Sequence, residues 1–195
     1  MQVLTTSPFV KTYSLEEFWK LPEPKDGSKL ELIAGVLYMT PPPNFDHNFS
    51  SATLMRLFIL HLEDIGDAGV VFTPRSAIWI NPNTYVEPDL FYLSAASLAR
   101  IDPQHMDYAD IVIEVISPGT AIYDRNTKAD TYAALGVREL WLIDTNLEIV
   151  EVRNLKINEW VYEVGVVYSK GENIVSHVLP KFSPSVSEVC KRLKK

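Results

Sequence analysis

The run Ile111-Val112-Ile113-Glu114-Val115-Ile116 constrains this chain more than any other segment. It is apolar on both alternating faces, the pattern of a central strand covered on two sides. The segment 123–135 that follows reads as a helix, with Gly136 placed to close it, and Glu139–Asp144 reads as a second buried strand. Strand, helix, strand in that order predicts a crossover between parallel neighbours. A glutamate in the middle of the first strand is costly to bury alone, so it must meet a metal, a cation or water. A buried salt bridge to Lys128 or Arg125 accounts for Glu114 as well as a metal does.

Around this unit the chain reads as one mixed α/β domain over residues 1–195, with a core at about 14–152 and later strands and a helix at 153–195. Ser14 with Glu17 forms a capping box that opens a short helix at 14–21. Residues 30–39 read as a hairpin around Ala34-Gly35. A long helix is expected over 46–65, capped by Asp46, with Phe49, Leu54, Leu57, Phe58 and Leu62 as its apolar stripe. Residues 70–80 and 85–93 read as strands, 94–101 as a short helix, and 147–154, 159–168 and 173–179 as later strands, mostly antiparallel. The end, from Ser185, reads as a helix that holds the single cysteine, Cys190, as a packing residue.

Composition narrows the function classes. The 47% hydrophobic and 22% charged content is that of a globular protein, and one cysteine excludes an internal disulfide. No segment has the length of a membrane span and the N-terminus lacks a signal-like apolar core, so a cytoplasmic protein is expected. A net charge of −7 argues against the simplest nucleic-acid binder, which carries a basic face.

Two further residues join Glu114. Asp89 follows Pro88, where a strand begins or turns irregular; alternation places Glu87, Asp89, Phe91 and Leu93 on one face, with Glu87 as an accessory acid. Acids on neighbouring strands make an oxygen site for a hard divalent cation. Lys128 stands four residues after Asp124, a favourable helix pair worth about 0.3–0.5 kcal/mol. Alternatively, Lys128 points from the helix's inner face to the mouth of the Glu114 strand, positioned by Asp124, with Tyr132 one turn on.

The stretches EPDLFYL and IVIEVISPGTAIYDRNTKADTYAALGVRELWLID, from about Ser14 to Val152 in all, resemble the Uma-two family of restriction endonucleases, a branch of the PD-(D/E)XK nuclease superfamily. The resemblance implies a restriction-endonuclease-like mixed sheet flanked by helices. It implies a metal-dependent phosphodiesterase cutting DNA with Mg²⁺ or Mn²⁺, and a homodimer. It carries the motif aspartate onto Asp89 and the strand acid onto Glu114, with the carbonyl of Val115 as a further metal ligand. The superfamily lysine would fall at Ile116; here it has moved to the following helix as Lys128. ELIAG matches a family hairpin and makes Glu31 a fourth site acid, although Ala34 and Val36 stand where acids are common. His47 matches a histidine at the start of the first long helix, where it either touches substrate phosphate or caps the helix. Replacing Lys128 with alanine is expected to abolish cleavage and leave the fold intact. The competing reading is a non-catalytic nucleic-acid-binding or interaction protein on a nuclease fold. Trp160, Tyr162 and Tyr168 are candidates for a dimer interface or for core.

Overall fold

The computed structural model describes residues 10–80, 82–102 and 104–191. Its centre is the predicted strand–helix–strand unit. β7 (Ile111–Ile116) and β8 (Glu139–Asp144) pair in parallel, Glu114 opposite Leu142, and every residue of β7 is buried. The connection is α4 (Ala121–Tyr123), a π-helical turn at Asp124–Lys128, and α5 (Ala129–Ala134), after which Gly136 takes φ 78°, a left-handed value that favours glycine.

The sequence leads to one mixed sheet; the chain forms two. The larger has the order β10 (Val161–Tyr162), β9 (Ile149–Lys156), β8, β7, β6 (Leu90–Leu93) and β3 (Val70–Phe72), with β11 (Val166–Ser169) also pairing β9. The smaller has the order β2 (Val36–Thr40), β1 (Lys29–Ile33), β5 (Thr84–Val86), β4 (Ile78–Ile80). Two expected strands are therefore each divided between the sheets. Residues 70–80 break at Thr73–Ala77 into β3 and β4, and residues 85–93 break at Glu87-Pro88-Asp89 into β5 and β6. Pro88 cannot donate to a ladder, and the chain changes sheet there.

The hairpin turns at Ala34 (φ 47°) and Gly35 (φ 81°), positive at both central residues as a type I′ turn requires. The capping box of α1 (Leu15–Phe18) is present in full. The long helix α2 (Phe45–Ile65) is capped by Asn44, whose side chain accepts from the His47 backbone N–H at 2.9 Å; Asp46 lies inside the first turn instead. Residues 173–179 form no strand. Asn173 makes one bridge to Ser185, and Ser176 turns inward to accept from the Leu179 N–H at 2.9 Å. Short helices α3 (Ala95–Leu98) and α6 (Val186–Val189) complete the described elements, and Cys190 is buried beside α6.

Period-2 alternation along β7 sorts the core. Ile111, Ile113 and Val115 pack with Trp141, Ile143 and the Leu54, Phe58 and Leu62 stripe of α2; Leu57 packs at its edge. Val112 and Ile116 face the other way, against Ala129, Tyr132 and Ile33. Glu114 belongs to that second face, beneath the crossover helix and the small sheet. Among the described residues no helix is long and apolar enough to cross a membrane. Of the late aromatics, Trp160 is exposed, Tyr162 is half-buried and bonded to the Val137 carbonyl, and Tyr168 packs on the core's edge.

Candidate active site

Four elements deliver charged groups to one place. Glu114 comes from the middle of β7, Asp89 from the break before β6, Glu31 from β1, and Lys128 from the end of the π-helical turn. Glu31, Glu114 and Lys128 are 0%, 2% and 1% exposed. The Lys128 ammonium lies 2.5 Å from Glu114 Oε1 and 3.1 Å from Glu31 Oε1. Tyr132 OH, one helical turn beyond Lys128, donates to the same Glu114 Oε1 at 2.5 Å. Burial pushes Glu114 up, to about 8: Lys128 opposes the shift, but Asp89 adds to it. Burial alone would lower Lys128; Glu114 and Glu31 outweigh it and hold the ammonium firmly charged.

Asp89 is held on a different set of donors. Its Oδ2 accepts from the Val115 N–H at 2.8 Å and lies 2.9 Å from His47 Nε2, while Oδ1 is 3.7 Å from the Lys29 ammonium. Burial pushes this carboxyl up, but the His47 hydrogen bond and the Lys29 charge prevail and leave it at about 2. Lys29 also donates to the Glu87 carbonyl at 2.7 Å. Glu31 accepts from the Glu87 N–H at 2.8 Å and from Tyr123 OH at 3.3 Å. The small sheet is thereby tied to the acid strand through the very residues where the chain crosses between sheets.

These groups border a cleft of about 370 Å³. Its floor includes Asp89, Glu114, Val115, Ile116, Asp124 and Lys128. Its walls include Lys29, the Pro41–Asn44 turn, His47, Asn48 and Arg75. Partly open and bordered by three acids, it is the kind of place where an ion and a phosphate could meet a buried lysine.

Asp89, Glu114, Lys128, Glu31, Val115, His47, Asp124 and Tyr132 all gather here, although Glu31 lies behind Lys128 and outside the cleft wall. Four expectations need correction. His47 does not cap α2: Asn44 does the capping, and His47 lines the cleft with its Nε2 on Asp89. Lys128 pairs with Glu114 and Glu31, not with Asp124, whose carboxyl bonds Thr120 and is pushed up by burial. Glu87 does not share a face with Asp89. The sheet change at Pro88 sends its side chain away, to Tyr85 OH at 3.0 Å and Arg75 at 3.3 Å. Arg125 serves Glu151 and so is no partner of Glu114. Sequence reasoning missed Lys29, Tyr123 and Arg75. Lys29 carried a usable signal, since it alternates with Glu31 on one face of β1.

Residues 15–187 match the family model for Uma2, described as "Putative restriction endonuclease". An uncharacterized protein of Synechocystis sp. (strain ATCC 27184 / PCC 6803 / Kazusa) is 30% identical over 146 residues, 74% of this chain and 75% of that protein. Among solved structures, a protein from Anabaena variabilis ATCC 29413, described as a "putative nuclease belonging to DUF820" and determined at 1.96 Å, superposes with a TM-score of 0.71. That match covers 91% of this chain and 97% of the other at 19% identity, a likeness of fold. With a family match running from the first helix to the last, this chain belongs to the Uma2 family of restriction-endonuclease-like proteins.

Proposed function

We propose that this chain is a metal-dependent nuclease that hydrolyses DNA phosphodiester bonds, with a PD-(D/E)XK-type site whose lysine comes from the helix after the acid strand. One observation carries the reading: four buried carboxylates, Glu31, Asp89, Glu114 and Asp124, gather around one buried ammonium and the half-buried Lys29. Burial and mutual crowding push the Glu114 and Asp124 carboxyls up, and a bound cation would relieve that crowding.

The donors suit Mg²⁺ or Mn²⁺, hard ions that take oxygen ligands and keep several waters. Asp89 and Glu114 would hold the ion, Glu114 through Oε2, which carries none of the hydrogen bonds above, with the Val115 carbonyl as a further ligand. Among the described residues no group of three histidine, cysteine or acidic side chains is arranged to hold a metal, so water and substrate would complete the shell. The ion, when bound, supplies Lewis acidity at the phosphate and a lower pKa for a coordinated water.

The chain's own groups do the rest. Lys128, already charged, stabilises the charge that builds on the phosphoryl oxygens. Glu31 and Tyr132 fix where that ammonium points. His47 and Lys29 keep Asp89 ionised and oriented. Asp124 lines the floor beside them. A cytoplasmic homodimer is the assembly we propose, with the exposed Trp160, Val164, Val166 and Val167 around β10 and β11 as its apolar surface.

The test is calorimetric titration with Mn²⁺ beside a cleavage assay on DNA. Wild type should bind the ion and cut; Glu114→Gln should lose both. Nucleic-acid binding without ion binding or cutting by wild type would favour the non-catalytic reading.

A further inference from the structure

The nuclease reading leaves open what form of nucleic acid the cleft admits, and three observations bear on it. The first is depth. Asp89 is 6% exposed, and Glu114 and Lys128 less, at the bottom of a cleft at the small end of the range for small-molecule pockets. A flexible single strand can bend a phosphate toward these buried groups more easily than a stiff duplex can.

The second is charge. Apart from the buried Lys128, the cleft wall offers two cations, Lys29 and Arg75. Duplex affinity comes from many phosphate contacts, and two cations on a chain of net charge −7 supply few. Lys29, which also faces Asp89, and Arg75, paired with Glu87, are the charges a single strand's backbone would meet there. Arg75 sits in the loop between the two sheets with a left-handed backbone, φ 73°, a strained state for arginine. The loop turns its side chain onto the cleft wall, 58% exposed and within 3.3 Å of Glu87.

The third is an aromatic pair with one ring, Phe45, exposed. Asn44, His47 and Asn48 line the cleft from the start of α2. Phe45 and Phe49 form the next stripe round the same helix, ring centroids 6.1 Å apart and planes within 26°. Phe45 is 60% exposed. An aromatic ring open to water beside a cleft with two wall cations is the kind of platform on which single-stranded nucleic acid stacks its bases.

From these we infer that the substrate is a single strand, or an unpaired end, with its backbone held by Lys29 and Arg75 and a neighbouring base stacked on Phe45. The inference rests on the nuclease reading. Each cleft of the proposed dimer would take its own strand.

The experiment compares one oligonucleotide, alone and annealed to its complement, as substrate with Mn²⁺, and measures binding of the labelled single strand by anisotropy without metal. Wild type should cut the single strand at least about tenfold faster, because unpairing costs a few kcal/mol and each 1.4 kcal/mol is tenfold. Phe45→Ala should weaken single-strand binding by about tenfold and Phe45→Trp should restore it. Val175→Ser, at an exposed valine outside the cleft and the proposed dimer surface, should change nothing. Duplex cut as fast as single strand, or Phe45→Ala binding like wild type, overturns the inference and leaves the nuclease reading standing. If neither oligonucleotide nor bis(p-nitrophenyl) phosphate is cut, the nuclease reading fails and takes this inference with it.

Discussion

Replacing Lys128 with methionine removes the ammonium and keeps much of the side chain's volume, so charge is the main thing lost. In the native protein that ammonium is 1% exposed and within 3.1 Å of two carboxylates that are as deeply buried. Removing one partner of a buried pair costs about 3–5 kcal/mol, because the remaining charge is stranded. Here part of the loss is cushioned: Glu114 keeps Tyr132 OH and Glu31 keeps the Glu87 N–H. The lower end, about 3 kcal/mol, is the expected cost, and for a chain of this size it lowers Tm by roughly 6–12 °C. A loss of that size lies below the stability of a typical domain, about 5–15 kcal/mol, so the fold is expected to form and to melt earlier. Thermal unfolding followed by circular dichroism, with Glu114→Gln and the double variant completing a cycle, separates the pair from its surroundings. The double variant should be more stable than Lys128→Met alone and still inactive. If Lys128→Met melts within about 2 °C of wild type, the buried charge pair is not the linchpin described above.

Two other positions give independent checks. Asp110 accepts from the Ser94 N–H at 2.8 Å and Tyr108 OH at 2.9 Å, with Arg138 at 3.6 Å. Burial pushes its carboxyl up, but the bonds from Ser94, Ser97 and Tyr108 prevail and leave it below the usual range. An acid lowered on folding stabilises above its unfolded pKa, near 4, and loses that stability as pH falls through the folded value. Asp110→Asn should cost about 1–3 kcal/mol at neutral pH by guanidinium unfolding, with the gap to wild type closing below about pH 4. Gly69→Ala places a Cβ 2.6 Å from a Tyr92 ring carbon and 2.9 Å from the Leu93 carbonyl. That carbonyl belongs to β6 and cannot yield easily, so a loss of about 1–3 kcal/mol is expected in the same assay.

Legibility in the sequence follows the range of the forces involved. Glu114 stood out because an acid inside an apolar strand has few physical explanations, and the crossover around it is set by local periodicity. The Pro88 irregularity was visible as well, but not its consequence: whether a broken strand continues in one sheet or enters another depends on partners far away in the chain. The same limit hid the Lys128–Glu31 pair, which exists because a hairpin some hundred positions earlier docks against the crossover helix. The capping error at α2 was of another kind. Asn44 and Asp46 are both good caps, and preference alone does not choose between them. Residues 173–179 misled because alternation reports burial: Ile174 and Ser176 are buried at a strand's spacing in irregular chain.

The place of Lys128 has a geometric reason that can be tested. Glu114 and Ile116 lie on the same face of β7, two residues apart, and Ile116 also borders the cleft. A lysine at 116 would approach from the strand the space that Lys128 enters from the helix above. On the proposed reading the two positions are alternative routes to one charge beside one acid. The variant Ile116→Lys with Lys128→Met should therefore recover part of the cleavage lost in Lys128→Met alone. It should not recover the stability, because Glu31 and Tyr132 are arranged around an ammonium arriving from the helix. Activity absent from the swap while its circular dichroism spectrum and Mn²⁺ binding match those of Lys128→Met would mean that the direction of approach matters. The ammonium would then do more than add charge: it would hold a water or a phosphoryl oxygen along a line that only the helix provides.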